Sequence, residues 1–421
     1  MLQFNHSRIL CVCLILSVST ASHADNWPQF RGPGGQGIAK AEDLPVTWSE
    51  TENIAWKTAL PGYGASSPIA LNGRLYLTCY SGYGIERDQS MADLKLHVVC
   101  IDGEKGAILW DRQIEPTLPE SARVRDHGYA AATPATDGKH LYVFFGKSGV
   151  FQFDLDGRQL WRASVGTNVH GWGSGASPVL YENLVIVNAA VESESLVALD
   201  KESGKELWRV GGIRESWNTP LIATAESGRR ELLLAVKGQV LAFTPDRGRA
   251  LWSCETGITW YIAPSMVAAD GIVYCLGGRS GIAALAVRMG GSGDVTATHR
   301  LWTSTSGSNV SSPVIHDGHL YWMHEQRGIA FCAKASNGEI VYERRLEGAR
   351  QVYASALLAE GRLYYVARNG ETFVLAARPQ FEQLAHNKLA DRSTFNASPI
   401  VCNGKLILRS DENLYAIQMM K

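Results

Sequence analysis

A short phrase recurs eight times through this chain of 421 residues, and it constrains the architecture more than any other feature. The phrase is a small residue, a Pro, two apolar residues, a turn Gly and an apolar–aromatic run. Ser67-Pro68 is followed by Gly73 and Leu75-Tyr76, Thr133-Pro134 by Gly138 and Leu141-Tyr142, and Ser312-Pro313 by Gly318 and Leu320-Tyr321. The anchors fall near 68, 134, 178, 220, 264, 313, 356 and 399, with Ala263-Pro264 as the fifth and Ala356 replacing Pro in the seventh. Apart from a first step of 66 residues, which holds two long loops, the copies are about 43 residues apart. Self-similarity at that period marks a radial array of supersecondary units.

A second phrase keeps phase with the first. Its fullest copy is Ala198-x-Asp200-x-x-x-Gly204-x-x-x-Trp208, and Cys100, Asp102, Gly106 and Trp110 keep the same spacing. Each unit then reads strand, turn, strand, loop, strand, turn Gly and a strand opening near Trp. Alternating apolar positions such as Leu196, Ala198 and Leu207 fit half-buried antiparallel strands. Four strands in about 43 residues is one blade of a propeller. The expectation is an all-β, eight-bladed β-propeller in a single domain over 25–421. Its last unit stops short after Leu414-Tyr415-Ala416-Ile417, while Asn53-Ile54-Ala55-Trp56-Lys57 is a Trp strand with nothing ahead of it. Lending that N-terminal strand to the last blade closes the ring, whereas an open or seven-bladed ring leaves unpaired edges.

Charge and cysteine narrow the setting. With 40 Lys and Arg against 41 Asp and Glu the net charge is −1, which gives no field for nucleic acid. Ile9 to Val18 is apolar and Ser22-His23-Ala24 is a small-residue cleavage pattern, so residues 1–24 read as a signal peptide cut near Ala24. The mature chain is then exported, periplasmic or secreted, with no transmembrane segment. Six cysteines remain beyond the signal, and Cys79 with Cys100 is the candidate pair; buried free thiols are the alternative.

The docking phrase resembles the tryptophan-docking motif of eight-bladed quinoprotein-type propellers, the pyrroloquinoline-quinone-repeat superfamily, over about residues 27–417. Trp27-Pro28-Gln29-Phe30-Arg31-Gly32-Pro33 and the Gly293 to His299 insertion are similar to those of a secreted bacterial subfamily. The resemblance implies structural docking roles for Trp56, Trp110, Trp161, Trp208, Trp252, Trp302 and Tyr342. It also extends to the propeller subunit of the outer-membrane barrel-assembly machine. The quinone dehydrogenases that share the repeat carry adjacent cysteines and a calcium-binding carboxylate set. No two cysteines are adjacent here, and the alcohol-oxidising relatives are expected to be considerably longer. No metal site and no cofactor are expected, with pyrroloquinoline quinone and Ca²⁺ as the disfavoured alternative.

Site residues are read from position. The loops entering the eight anchors converge on one end of the central channel. They carry Tyr63, His127, Tyr129, His170, Trp172, Trp217, Asn218, Trp260, Tyr261, Asn309, Arg350, Tyr353 and Asn396. Aromatic rings with hydrogen-bonding groups around a concave funnel suit a polar or carbohydrate ligand or a partner protein; wedging between blades is the other reading. No catalytic residue is assigned. The expected function is an exported non-catalytic ligand-binding or assembly scaffold of the bacterial envelope. The alternative is a divergent quinone- and calcium-dependent dehydrogenase or a carbohydrate-active propeller.

Overall fold

The computed structural model describes residues 26–420, so the signal-peptide reading lies outside the described residues. Eight four-stranded antiparallel units form eight separate sheets, two of them with one short extra strand. Blade 1 runs outward through Ile69–Leu71, Arg74–Ser81, Lys95–Asp102 and Ile108–Ile114. Blades 2 to 7 repeat this over 135–163, 179–211, 221–255, 267–304, 314–345 and 357–388. Blade 8 takes Ile400–Cys402, Lys405–Arg409 and Asn413–Ile417 from the end of the chain and Ile54–Ala59 from its beginning. Those last two strands pair antiparallel, with Trp56 opposite Ala416 and Ala59 opposite Asn413. The second and third strands of each blade are mostly buried, whereas the outer strands mix exposed and half-buried residues.

The Pro anchors hold the blades together through the residue before the Pro. Eight hydroxyls, those of Ser67, Thr133, Ser177, Thr219, Ser265, Ser312, Ser355 and Ser398, circle the channel. Each main-chain N–H donates to the next blade's hydroxyl at 2.9–3.2 Å, and Ser398 completes the circle by donating to Ser67. A buried N–H demands a partner, and Ser or Thr supplies one without bulk. The ring also corrects the fifth anchor. Ser265-Met266, not Ala263-Pro264, stands in phase, because the blade's first strand begins at Val267.

The outer strands reveal a second regularity. In all eight blades the pairing of the outer two strands slips by one residue at the docking position. The residue just before it, for instance Leu109, Leu207 or Leu384, is left without a cross-strand partner. Such bulges re-aim the next side chain. Leu207 is therefore 48% exposed rather than part of the half-buried alternation expected of it, while Trp208 turns toward the following blade. A Cβ at Gly248, where φ is +63°, would lie 2.7 Å from the Trp208 ring, so only glycine lets the indole lie flat on that turn. Trp56, Trp110, Trp161 and Trp302 cover Gly106, Gly157, Gly204 and Gly338 in the same way. Their indole N–H groups donate to main-chain carbonyls of the neighbouring blade at 2.9–3.2 Å. Trp252 departs from the pattern: it is buried and donates to Glu231 within its own blade at 2.8 Å. Tyr342 packs edge-on against Phe381 at 5.5 Å.

Cys79 and Cys100 form no disulfide, because the register puts them on opposite faces of blade 1. Cys79 stands opposite His97 and Cys100 opposite Tyr76, so one thiol packs toward blade 8 and the other toward blade 2.

Residues 26–53 form a strap across the end of the ring where first and second strands turn. Trp27 exchanges main-chain bonds with Ala70 of blade 1, and Pro28 accepts from Thr136 of blade 2. Gln36 accepts from Ala268 of blade 5, Arg31 donates to Pro313 of blade 6, and Gly37 accepts from Leu358 of blade 7. Ile38–Ala39 adds a parallel strand beside Leu357–Ala359, and Trp48 donates to Asn387 at 2.9 Å before the chain enters blade 8. The strap closes that end of the channel.

Candidate functional site

The other end stays open as a funnel. Phe30 of the strap is its floor and the hydroxyl ring its lower wall. Small residues such as Ala65, Ala131, Gly175 and Ala263 follow, and His127, Trp172, Trp217, Tyr261, Tyr353 and Asn396 form the upper wall. Those six come from the positional set read in the sequence. Each sits just before an anchor, so its blade's crossing loop carries it to the mouth.

The aromatic residues are packed into a cluster. Trp217 lies 5.2 Å from the His170 ring and 5.3 Å from Tyr261, which also touches Trp172 at 6.3 Å and Trp260 at 5.8 Å. Trp217 is fixed further by donating to the Gly173 carbonyl at 2.8 Å. Burial pushes the His127 imidazole below its usual value, against the pull of Asp126, which favours the neutral ring.

The remaining expected residues do other work. Tyr63 donates to Glu412 at 2.8 Å and, with His127, lines a separate cavity toward blade 8. Tyr129 packs edge-on against Tyr80, and its hydroxyl bonds the Ser121 carbonyl. Asn218 and Asn309 are fully buried. The first ties the Ala235 carbonyl and Ser216, and the second accepts from the Gly278 N–H; both brace loops and line no wall. Arg350 is exposed and borders none of the described cavities.

Three arginines that the anchor loops did not reveal stand at the mouth instead. Arg125 lies over Trp172 at 5.4 Å, Arg279 over Trp260 at 5.6 Å and Arg368 over Tyr353 at 4.3 Å. Arg368 also pairs with Asp126 at 3.1 Å and donates to Gln351 at 2.8 Å. Arg279 and Arg368 sit between the second and third strands of their blades. Those turns open on the same end as the crossing loops, because successive antiparallel strands return every second connection to one face.

Beside the funnel, Glu192 is 2% exposed and accepts from the Ser174 hydroxyl. Burial pushes its carboxyl up to about 7, as it does for Glu120. A raised carboxyl pKa means the folded chain holds a proton that the unfolded chain has already lost, so stability falls as pH rises from about 4.5 to about 7. Denaturant midpoints are accordingly expected to drop between pH 5 and pH 8, and Glu192→Gln to flatten much of that slope. An unchanged slope in the variant would assign the effect elsewhere.

The repeat and the docked tryptophans define a propeller of the pyrroloquinoline-quinone-repeat class. The chain belongs to the family described as outer membrane protein assembly factor BamB, whose model matches residues 38–168 and 94–344. Among solved structures, BamB from Moraxella catarrhalis is 14% identical, with a TM-score of 0.62 over 87% of this chain and 99% of that one. A europium-containing methanol dehydrogenase is 10% identical, with a TM-score of 0.66 over 94% and 98%. Quinohemoprotein alcohol dehydrogenase from Comamonas testosteroni is 12% identical, with a TM-score of 0.63 over 94% and 80%. These likenesses show the fold. No curated protein matches the sequence.

A quinone with calcium needs clustered carboxylates, which the funnel wall does not offer. Its lining contains one imidazole and no Asp or Glu. Among the described residues no group of three or more His, Cys, Asp or Glu is placed to hold a metal ion. The funnel lining thus offers no carboxylate to that pair, and no helix among the described residues is long and apolar enough to cross a membrane.

Proposed function

We propose that this protein is an exported, non-catalytic scaffold of the bacterial envelope that holds a partner protein at the open mouth of its funnel. The observation that carries this reading is the rim itself, where Arg125, Arg279 and Arg368 each lie on an aromatic ring. Flat rings and arginines pre-set by stacking are the side chains that dominate protein interfaces. The hydroxyls lower in the funnel already accept from main-chain N–H groups and line the wall as structure. The family's outer-membrane assembly description supports a partner in the envelope, and the apolar N-terminal run with its small-residue cleavage pattern supports export. A small polar or carbohydrate ligand would use the same rings.

The test is capture from native envelope extract by the intact protein and by Arg279→Ala, followed by identification of the retained protein. Arg279 is exposed, so its removal is expected to shift the melt by no more than about 0.5 kcal/mol while strongly reducing capture. Equal capture by both proteins would sink the rim as the docking surface. In parallel, a saturable red-shifted absorbance with quinone and Ca²⁺, together with dye-linked alcohol or sugar oxidation, would replace the scaffold with an enzyme.

A further inference from the structure

We infer that the partner held at the mouth docks through an acidic segment of its own chain, laid across an arginine arc on blades 5 to 7. The inference rests on the scaffold reading above and names the chemistry of what the scaffold holds. The loops that open on the mouth between residues 277 and 399 carry Arg279, Arg327, Arg350, Arg368 and Arg392, and no lysine. All but Arg368 are exposed, and none of those four makes an ion pair among the described residues. Of the three acids on the same loops, Glu325 is 2% exposed and accepts from the Asn309 N–H, while Asp391 is taken up by Ser410, Asn413 and Tyr415. Glu347 alone is exposed. The arc therefore carries more positive charge than its own loops neutralise.

These loops are bonded to one another in series, which fixes the arginines' backbones before any partner arrives. The Gly278 N–H donates to Asn309 Oδ1 at 3.2 Å, and the Asn309 N–H to Glu325 at 3.0 Å. Main-chain bonds of 2.8–3.0 Å continue from Val352 to Glu325, from Arg368 to Gln351 and from Phe395 to Arg368. Across the mouth the sign reverses, because Asp411, Glu412 and Glu86 all act on the Tyr63 hydroxyl of the loop entering blade 1. An acidic segment is drawn to one side of the mouth and repelled from the other, which sets its position as well as its affinity. That every cation on the arc is arginine favours carboxylates, which the planar guanidinium meets in a two-bond fork. Trp260 and Tyr353 beneath Arg279 and Arg368 offer that segment flat rings beside its charges.

The probe is a fluorescein-labelled peptide of alternating Glu and Tyr, titrated with the intact protein and read by anisotropy; its control has Gln in place of Glu. Saturable binding of the Glu peptide alone is expected, weakening as salt screens the arc. The double variant Arg327→Gln, Arg350→Gln changes two exposed residues outside the funnel wall and should melt as before. It is expected to bind the Glu peptide about tenfold or more weakly. No saturable binding, equal binding of the Gln peptide, or an unweakened double variant overturns the inference. Phosphatidylglycerol vesicles that bind the intact protein and release the double variant, with the peptide doing neither, would give the arc to a lipid surface and overturn it too. In the envelope capture, a double variant that retains the partner while Arg279→Ala loses it sinks the acidic segment and leaves the scaffold standing.

Discussion

A chain beginning at residue 60, with strap and closing strand both removed, is expected to aggregate instead of melting as a soluble monomer. The deletion strips Asn413–Ile417 of its antiparallel neighbour, turning a buried strand into an open apolar edge, which templates association with other chains. It also lifts Trp56 off Gly106 and removes its bond to the Gly103 carbonyl, opening the seam between blades 8 and 1. A milder deletion of residues 26–48 separates the contributions. It keeps the closing strand, so the product should remain monomeric with a lower midpoint and a funnel open at both ends. Size-exclusion chromatography and calorimetry read both outcomes. A monomeric chain from residue 60 that melts like the intact protein would show that blade 8 does not depend on Ile54–Ala59.

The second large effect is expected from Trp252→Ala. Trp252 is 3% exposed, and truncating a large buried aromatic costs about 3–5 kcal/mol. Its indole N–H is one of the donors that satisfy Glu231, which is fully buried and also held by Arg229 and the Gly290 N–H. Removing that donor leaves a buried carboxylate short of a partner and pushes the cost to the upper part of the range. For a chain of this size the midpoint should fall by about 5 °C. Trp208→Ala is the comparison. That ring is half-buried and its N–H has no partner, so roughly 2 kcal/mol is expected from the area it covers. Equal losses at the two sites would mean that the Gly248 seam carries as much as the Glu231 core.

The blades were legible because each one repeats the same punctuation. Gly204 and Trp208 in one blade recur as Gly248 and Trp252 in the next, and the period fixes the strand count. What the period could not show is chemistry between copies. Ser67, Thr133 and Ser177 read only as small residues before Pro, since their acceptor roles depend on donors in the adjoining blade that lie 331, 66 and 44 residues away. The same blindness misplaced the fifth anchor, where Pro264 drew the eye and Ser265 does the bonding. Leu207 misled through regular alternation, which a one-residue bulge breaks without any mark of its own. Of the mouth, the residues just before the anchors were legible by position. Arg279 and Arg368 were not, because they lie on turns outside the repeated phrase. Adjacent strands made Cys79 and Cys100 the candidate pair, with buried free thiols as the alternative; the register decides for free thiols, and spacing leaves register open.

The strap sets the order in which this protein can finish folding. Synthesis delivers residues 26–59 first, yet Trp48 waits for Asn387, Gly37 for Leu358 and Ile54–Ala59 for Asn413–Ile417. Seven blades can each assemble from neighbours in sequence, whereas the eighth joins the two ends of the chain across more than three hundred residues. Contacts of such separation form late and slowly. Throughout that wait the first-made strand and the floor residue Phe30 remain unplaced, and the nascent ring is an incomplete arc with two sticky ends. Any factor that shields the leading segment until the final strands emerge would therefore govern the yield of closed rings rather than their stability once closed.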